Sequence, residues 1–190
     1  MTTGFGWRLP VTHDWRSQPS ACPSTAATGE FNPMTFTNDQ LTTVEGFLTP
    51  APYEACLLFV HVDPLRLDRA ASHLEERYGW RRGSIGRELS AALLDTPTRD
   101  RGPAAARWFY SVADDRRPGP FLVTDIALLF EPTLQLDPLR LLLDASRRVA
   151  LIVAWPGAVE GDRLAYAVAE HSHYRTWPKT ALCPYCVVSL

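Results

Sequence analysis

Lysine is almost missing from this chain. Of its 19 basic residues only Lys179 is lysine, and the rest are arginine. Schiff-base chemistry would therefore have one candidate nucleophile. Charge of one sign is missing too. The formal net charge is −2, so no global field draws in nucleic acid or an anionic membrane. The arginine pairs 81–82, 116–117 and 147–148 are too short to change that, and each reads as a solvated face. Long apolar runs are absent, since none approaches the ~20 residues that a membrane helix needs. No basic segment followed by an apolar stretch opens the sequence, so a cytoplasmic location and no membrane partner are expected. Cysteine is sparse: Cys22, Cys56, Cys183 and Cys186 do not form the framework of a secreted disulfide protein. Neither a serine nucleophile elbow nor an H-E-x-x-H helix is present.

Strands alternating with helices make up most of what is there. Residues 1–33 are rich in Thr, Ser, Pro and Gly and read as an irregular N-terminal arm. Thr37 is placed to cap a short helix ending near Leu48. Residues 57–62, Leu-Leu-Phe-Val-His-Val, are a continuous apolar run of the kind found in a buried parallel strand. Asp63-Pro64 then supplies an N-cap and a first helical residue, Leu67, Ala70, Ala71, Leu74 and Tyr78 form one apolar stripe, and Gly79 ends the helix.

A weaker strand is expected over 82–85, helices over 87–95 and 103–114, and a second strong strand over 121–124 ending at Asp125. Asp137-Pro138 opens another helix. Residues 149–155 read as the third strong strand, closed by Pro156-Gly157, and residues 162–176 as a hairpin or a strand and return. This alternation predicts an α/β three-layer sandwich with a mostly parallel central sheet over residues 34–180, followed by a tail over 181–190.

Three groups of residues could carry chemistry. The first is a nucleotide site. A phosphate-binding loop needs glycines, a lysine and a Ser/Thr between strand and helix. Here Val62 runs straight into Asp63-Pro64, so the donors that would hold a phosphate are capped or missing. The second is Asp125, an acidic residue at the end of an apolar strand, where an NTPase holds Mg²⁺; the alternative is an ordinary turn carboxylate. The third is Cys183-Pro184-Tyr185-Cys186. It matches a dithiol redox motif, but the four residues Val187 to Leu190 leave no room for the helix that would activate the first thiol. With His171 and His173 the two cysteines could instead supply four zinc ligands, or the segment is simply a tail with unpaired thiols.

Three strings carry a resemblance to a known family. One is Leu129-Phe130-Glu131-Pro132, then Leu134, Asp137-Pro138-Leu139-Arg140-Leu141-Leu142 and Ser146-Arg147. Another is Val153-Ala154-Trp155-Pro156-Gly157. The last is Leu164, Tyr166-Ala167, His171 and Tyr174-Arg175. From about Met34 to Trp177 the chain resembles the BrxF family, small P-loop proteins of BREX bacteriophage-defence systems.

The resemblance implies a P-loop NTPase-like fold and membership of a multi-protein defence system. Its partners would be other proteins of one locus: a large ATPase, a DNA methyltransferase and a phosphatase-like protein, with DNA reached only through the complex. Asp125 falls where the family carries its metal-binding aspartate. Trp155, Arg140, Tyr174 and Arg175 are the candidate partner-binding residues. The chain departs from the family at Val62–Asp68, which replaces the phosphate loop. The expected role is therefore that of a non-catalytic subunit with no cofactor. An ATP/Mg-binding component using an irregular loop is the first alternative, and a small zinc- or DNA-binding module the second.

Overall fold

The computed structural model describes residues 36–48, 56–178 and 185–190, all within the larger of two compact units, Asn32–Leu190. The expected arm over 1–33 lies outside the described residues. Helix α1, Asn38–Phe47, begins with a capping box. Thr37 N–H donates to Gln40 Oε1 at 2.8 Å, and Gln40 N–H donates to Thr37 Oγ1 at 3.3 Å.

Strand β1, Cys56–His61, is buried over its first five residues. Helix α2, Pro64–Tyr78, starts three residues beyond it. Asp63 Oδ1 accepts from Leu65 N–H at 2.9 Å, and Gly79 closes the helix in the left-handed region at φ 67°. Next come β2, Arg81–Ser84; α3, Ile85–Leu93; α4, Arg101–Asp115; and β3, Phe121–Thr124. Two short 3₁₀ turns, Ile126–Phe130 and Pro132–Leu134, lead to α5, Pro138–Ser146, which is capped by Asp137. The chain ends with β4, Leu151–Glu160; β5, Arg163–Tyr166; β6, Arg175–Pro178; and β7, Tyr185–Ser189.

The sheet order is β2-β3-β4-β1-β7, and every neighbouring pair along it is parallel. Alternate side chains of each strand serve opposite faces. Leu58 and Val60 of β1, Phe121 and Val123 of β3, and Leu151, Val153 and Trp155 of β4 pack with α3, α4 and α5. Leu57 and Phe59, Leu122, and Ile152 and Ala154 pack with α1 and α2. The result is a parallel sheet with a helical layer on each face.

Two expectations need correction. Pro156-Gly157 does not close β4. The strand runs on to Glu160, and Gly157–Glu160 pairs antiparallel with β5, which in turn pairs with β6. Pro156 is tolerated because it sits at the last parallel register position, opposite His61, where its carbonyl still accepts from Ala167 N–H at 2.9 Å. Gly157 is required there. A Cβ on it would overlap the Ala165 carbonyl, whose carbon would lie only 2.9 Å away. The second correction concerns 181–190. Residues 185–189 are not a tail but the edge strand β7, in parallel register with Cys56–Val60.

Candidate functional site

The strands of a parallel sheet point their carboxyl ends at one edge, and ligands of open α/β sheets bind in crevices there. At this edge β1 ends at His61, β3 at Thr124 and β2 at Ser84, while β4 alone continues. The step between them forms a cleft of about 490 Å³. Its floor is Ala154 and Pro156 of β4, one wall is the start of α2 (Pro64, Leu65, Leu67), and the other is the β3 end (Thr124, Asp125, Ile126, Ala127).

Arg82 lies between these walls and is held by three partners. Its guanidinium pairs with Asp68, donates from Nη1 to Ser72 Oγ at 3.2 Å, and donates from Nε to Thr124 Oγ1 at 3.2 Å. Thr124 Oγ1 in turn donates a hydrogen bond to the Gly83 carbonyl at 3.1 Å. This network ties α2 to β2 and β3 and balances the Arg82 charge with the Asp68 carboxylate.

Asp125 is exposed in the cleft at φ 54°, a left-handed conformation that Asp and Asn tolerate better than most residues. Its carboxylate accepts from Ser84 Oγ at 3.0 Å, and its carbonyl accepts from Gly86 N–H at 2.7 Å. The carboxyl group lies against the first turn of α3, where helix N-termini favour negative charge. Among the described residues no cation pairs with it.

The α2 N-terminus is thus capped by the Asp63 carboxylate, while at α3 the Ser84 N–H is taken by Glu88 and the Gly86 N–H by the Asp125 carbonyl, with the Asp125 carboxylate close by. A nucleotide phosphate would meet these carboxylates, with Pro64 offering no N–H, instead of a ring of open donors.

The other predicted residues scatter. Trp155 is fully buried. Its Nε1 donates to the Ala165 carbonyl at 2.8 Å, and its ring meets Phe130 and Trp177 edge-on at 5.2 and 5.3 Å. Phe130 also stacks on Tyr166. Packing against the neighbouring turn is therefore what Trp155 does, and it presents no surface to a partner. Phe130, Trp155 and Tyr166, far apart in the chain, thus meet in one aromatic cluster.

Burial pushes the Tyr166 hydroxyl pKa up, and the nearby Glu131 carboxylate adds to that. Arg140 is exposed on α5 and pairs with Asp144 at 3.1 Å. Arg175 donates from Nη1 to the Leu136 carbonyl at 2.9 Å, and Tyr174 is half-buried beside it.

The proposed zinc ligands are not brought together. His171 and His173 face each other at 5.4 Å in the β5–β6 connection, where His173 N–H donates to His171 Nδ1 at 3.1 Å and His173 Nδ1 lies 3.9 Å from Glu131. The Cys186 backbone is opposite Leu57, at the amino end of the sheet. Leu57 aligns with Ile152, whereas Tyr166, the neighbour of His171, aligns with Gly157. Five residues along β4 separate the two levels, about 16 Å at 3.3 Å per residue. A tetrahedral zinc site cannot span that distance. Cys183 lies outside the described residues, and among those described no group of three His, Cys, Asp or Glu side chains could hold a metal ion.

The sequence pointed to Asp125 and to Asp63-Pro64, and both line or border the cleft. It did not point to Arg82, Asp68, Ser84 or Thr124, which come from separate segments and meet only through the strand order. No family model, no curated protein and no solved structure matches the chain.

Proposed function

We propose that this chain is a non-catalytic subunit of a BREX-type bacteriophage-defence system, a member of the BrxF-like P-loop proteins that keeps the sheet and has lost the phosphate loop. Several features support an NTPase-like ancestry. A P-loop enzyme places a helix directly after its first strand and an Mg²⁺-binding aspartate at the end of another strand. Here α2 follows β1, and Asp125 ends β3, with β4 between the two strands.

The observation that carries the loss of catalysis is the junction Val62-Asp63-Pro64-Leu65. It has no glycine and no lysine, and Asp63 Oδ1 already accepts from Leu65 N–H. The subunit then acts through protein contacts with the other products of its locus, among them a large ATPase, a methyltransferase and a phosphatase-like protein, and meets DNA only through them.

Calorimetry with ATP and Mg²⁺ tests the chemical half of this reading; no binding heat is expected. Micromolar binding that vanishes in Asp125→Ala would favour the alternative, an ATP-binding component. The pathway half is tested by deleting the gene from its native locus and plating phage. Unchanged resistance would reject a defence role.

A further inference from the structure

The cleft has two properties that a vestigial nucleotide site would not retain together. Its lip is apolar and exposed: Leu65, which lines the cleft, is 68% accessible, and Val62, three residues before it in the chain, is 50% accessible. Large apolar side chains held in water beside a concave, apolar floor mark an interaction surface.

The second property is charge. The Arg82 charge is balanced by Asp68, whereas the exposed Asp125 carboxylate has no cation and only the Ser84 hydroxyl and the start of α3 beside it. Asp63 stands at the rim with its charge spent on capping α2. Bringing an anion here would set it against Asp63 and Asp125. A cation would complete Asp125, and a flat guanidinium could do so through two parallel hydrogen bonds.

We propose that the cleft is a docking groove for a peptide segment of a partner protein, one that inserts an arginine toward Asp125 and lays flanking apolar side chains on Val62, Leu65 and Pro156. This deepens the reading of the chain as a binding subunit and rests on that part of it alone. The defence role is tested separately by phage plating.

The test uses the full chain and a fluorescein-labelled peptide of alternating leucine and arginine, followed by fluorescence anisotropy. A second peptide carries glutamate in place of arginine. The arginine peptide should bind saturably, and the glutamate peptide should not. Asp125→Asn keeps the backbone conformation and the Ser84 hydrogen bond but removes the charge; it should weaken binding at least tenfold. Leu65→Ser, at an exposed position that leaves the core untouched, should weaken it by a similar factor. Mg-ATP should not compete.

Absence of saturable binding would overturn the proposal, as would binding of equal strength by both variants, because charge attraction elsewhere on the surface would then explain it. Competition by Mg-ATP would overturn the proposal together with the non-catalytic reading. Self-association that Asp125→Asn abolishes, without peptide binding, would assign the groove to a second copy of the chain instead.

Discussion

Gly86 and Asp125 are fitted to each other: a methyl group on Gly86 would lie 2.7 Å from Asp125 Cγ and overlap its carboxylate oxygen, while Gly86 N–H donates to the Asp125 carbonyl at 2.7 Å. The contact lets the start of α3 approach the end of β3 and holds the carboxylate at the cleft. Asp125 is exposed and its carboxyl group can turn aside, so Gly86→Ala should cost the Ser84–Asp125 hydrogen bond, about 0.5–1.5 kcal/mol. In an Asp125→Gly background the obstacle is gone, and the same substitution should fall to within about 0.5 kcal/mol of neutral. Urea denaturation of the four proteins gives the cycle. Equal costs in both backgrounds would show that Gly86 is constrained by something other than Asp125.

Trp155 should behave as a core residue. It is among the largest fully buried side chains, and its indole bridges β4 to the β5 backbone. Trp155→Ala should cost about 3–5 kcal/mol, a large share of a domain's ~5–15 kcal/mol. Trp155→Phe keeps most of the packing and loses the hydrogen bond to Ala165, so it should be intermediate. Thermal melts followed by circular dichroism rank the three. Wild-type melting of Trp155→Ala would be incompatible with the packing described.

Much of the sheet is legible in the sequence because its strands and helices announce themselves locally. The 57–62 run, the Asp63-Pro64 and Asp137-Pro138 helix starts and the strand before Asp125 all rest on neighbouring residues. β4 past Pro156 does not. A Pro-Gly pair is ordinarily a stop, and only the passing Ala165 carbonyl makes glycine the right residue in mid-strand. β7 was hidden for a different reason. The thiol spacing of 183–186 overlaps Tyr-Cys-Val-Val-Ser, whose β-branched pair is a weak strand signal that needs β1 beside it. The cleft shows the same division. Asp125 could be found from its place after a strand, but Arg82, Asp68 and Ser72 form a network only because β2 and β3 pair and α2 crosses them.

The presence of β7 reverses what a tail would predict for truncation. Val188 is buried against the α1–α2 face, Leu190 N–H donates to the Val60 carbonyl at 3.1 Å, and Gln40 Nε2 donates to the Ser189 carbonyl at 2.7 Å. Removing residues 181–190 exposes β1 along its length and takes away at least one valine worth about 1.5–3 kcal/mol of burial. The expected loss in chemical denaturation is about 3 kcal/mol or more once the ladder is included. A truncated chain that melts within about 2 °C of the full one would mean that β7 contributes nothing to the fold.

Cys56 offers a pH-dependent test of the sheet interior. It opens β1 with no exposed surface, and burial pushes its thiol pKa far up. A thiolate is the reactive form, so iodoacetamide should leave Cys56 unmodified in the native protein and label it only in denaturant, as peptide mapping would show. The same shift fixes the sign of a stability effect. The folded thiol holds its proton to higher pH than the unfolded one, so its contribution is constant below the unfolded value near pH 8.5. Above that pH the unfolded chain ionises first and gains free energy, and stability falls by up to about 1.4 kcal/mol per pH unit. Buried tyrosines add losses of the same sign at higher pH, but they are common to wild type and Cys56→Ala. The difference between the two proteins, measured by denaturation from about pH 8 to 10, isolates the thiol: Cys56→Ala should start less stable and lose less as pH rises. Parallel pH profiles would place Cys56 in contact with water, which is incompatible with β1 as a central strand flanked by β4 and β7.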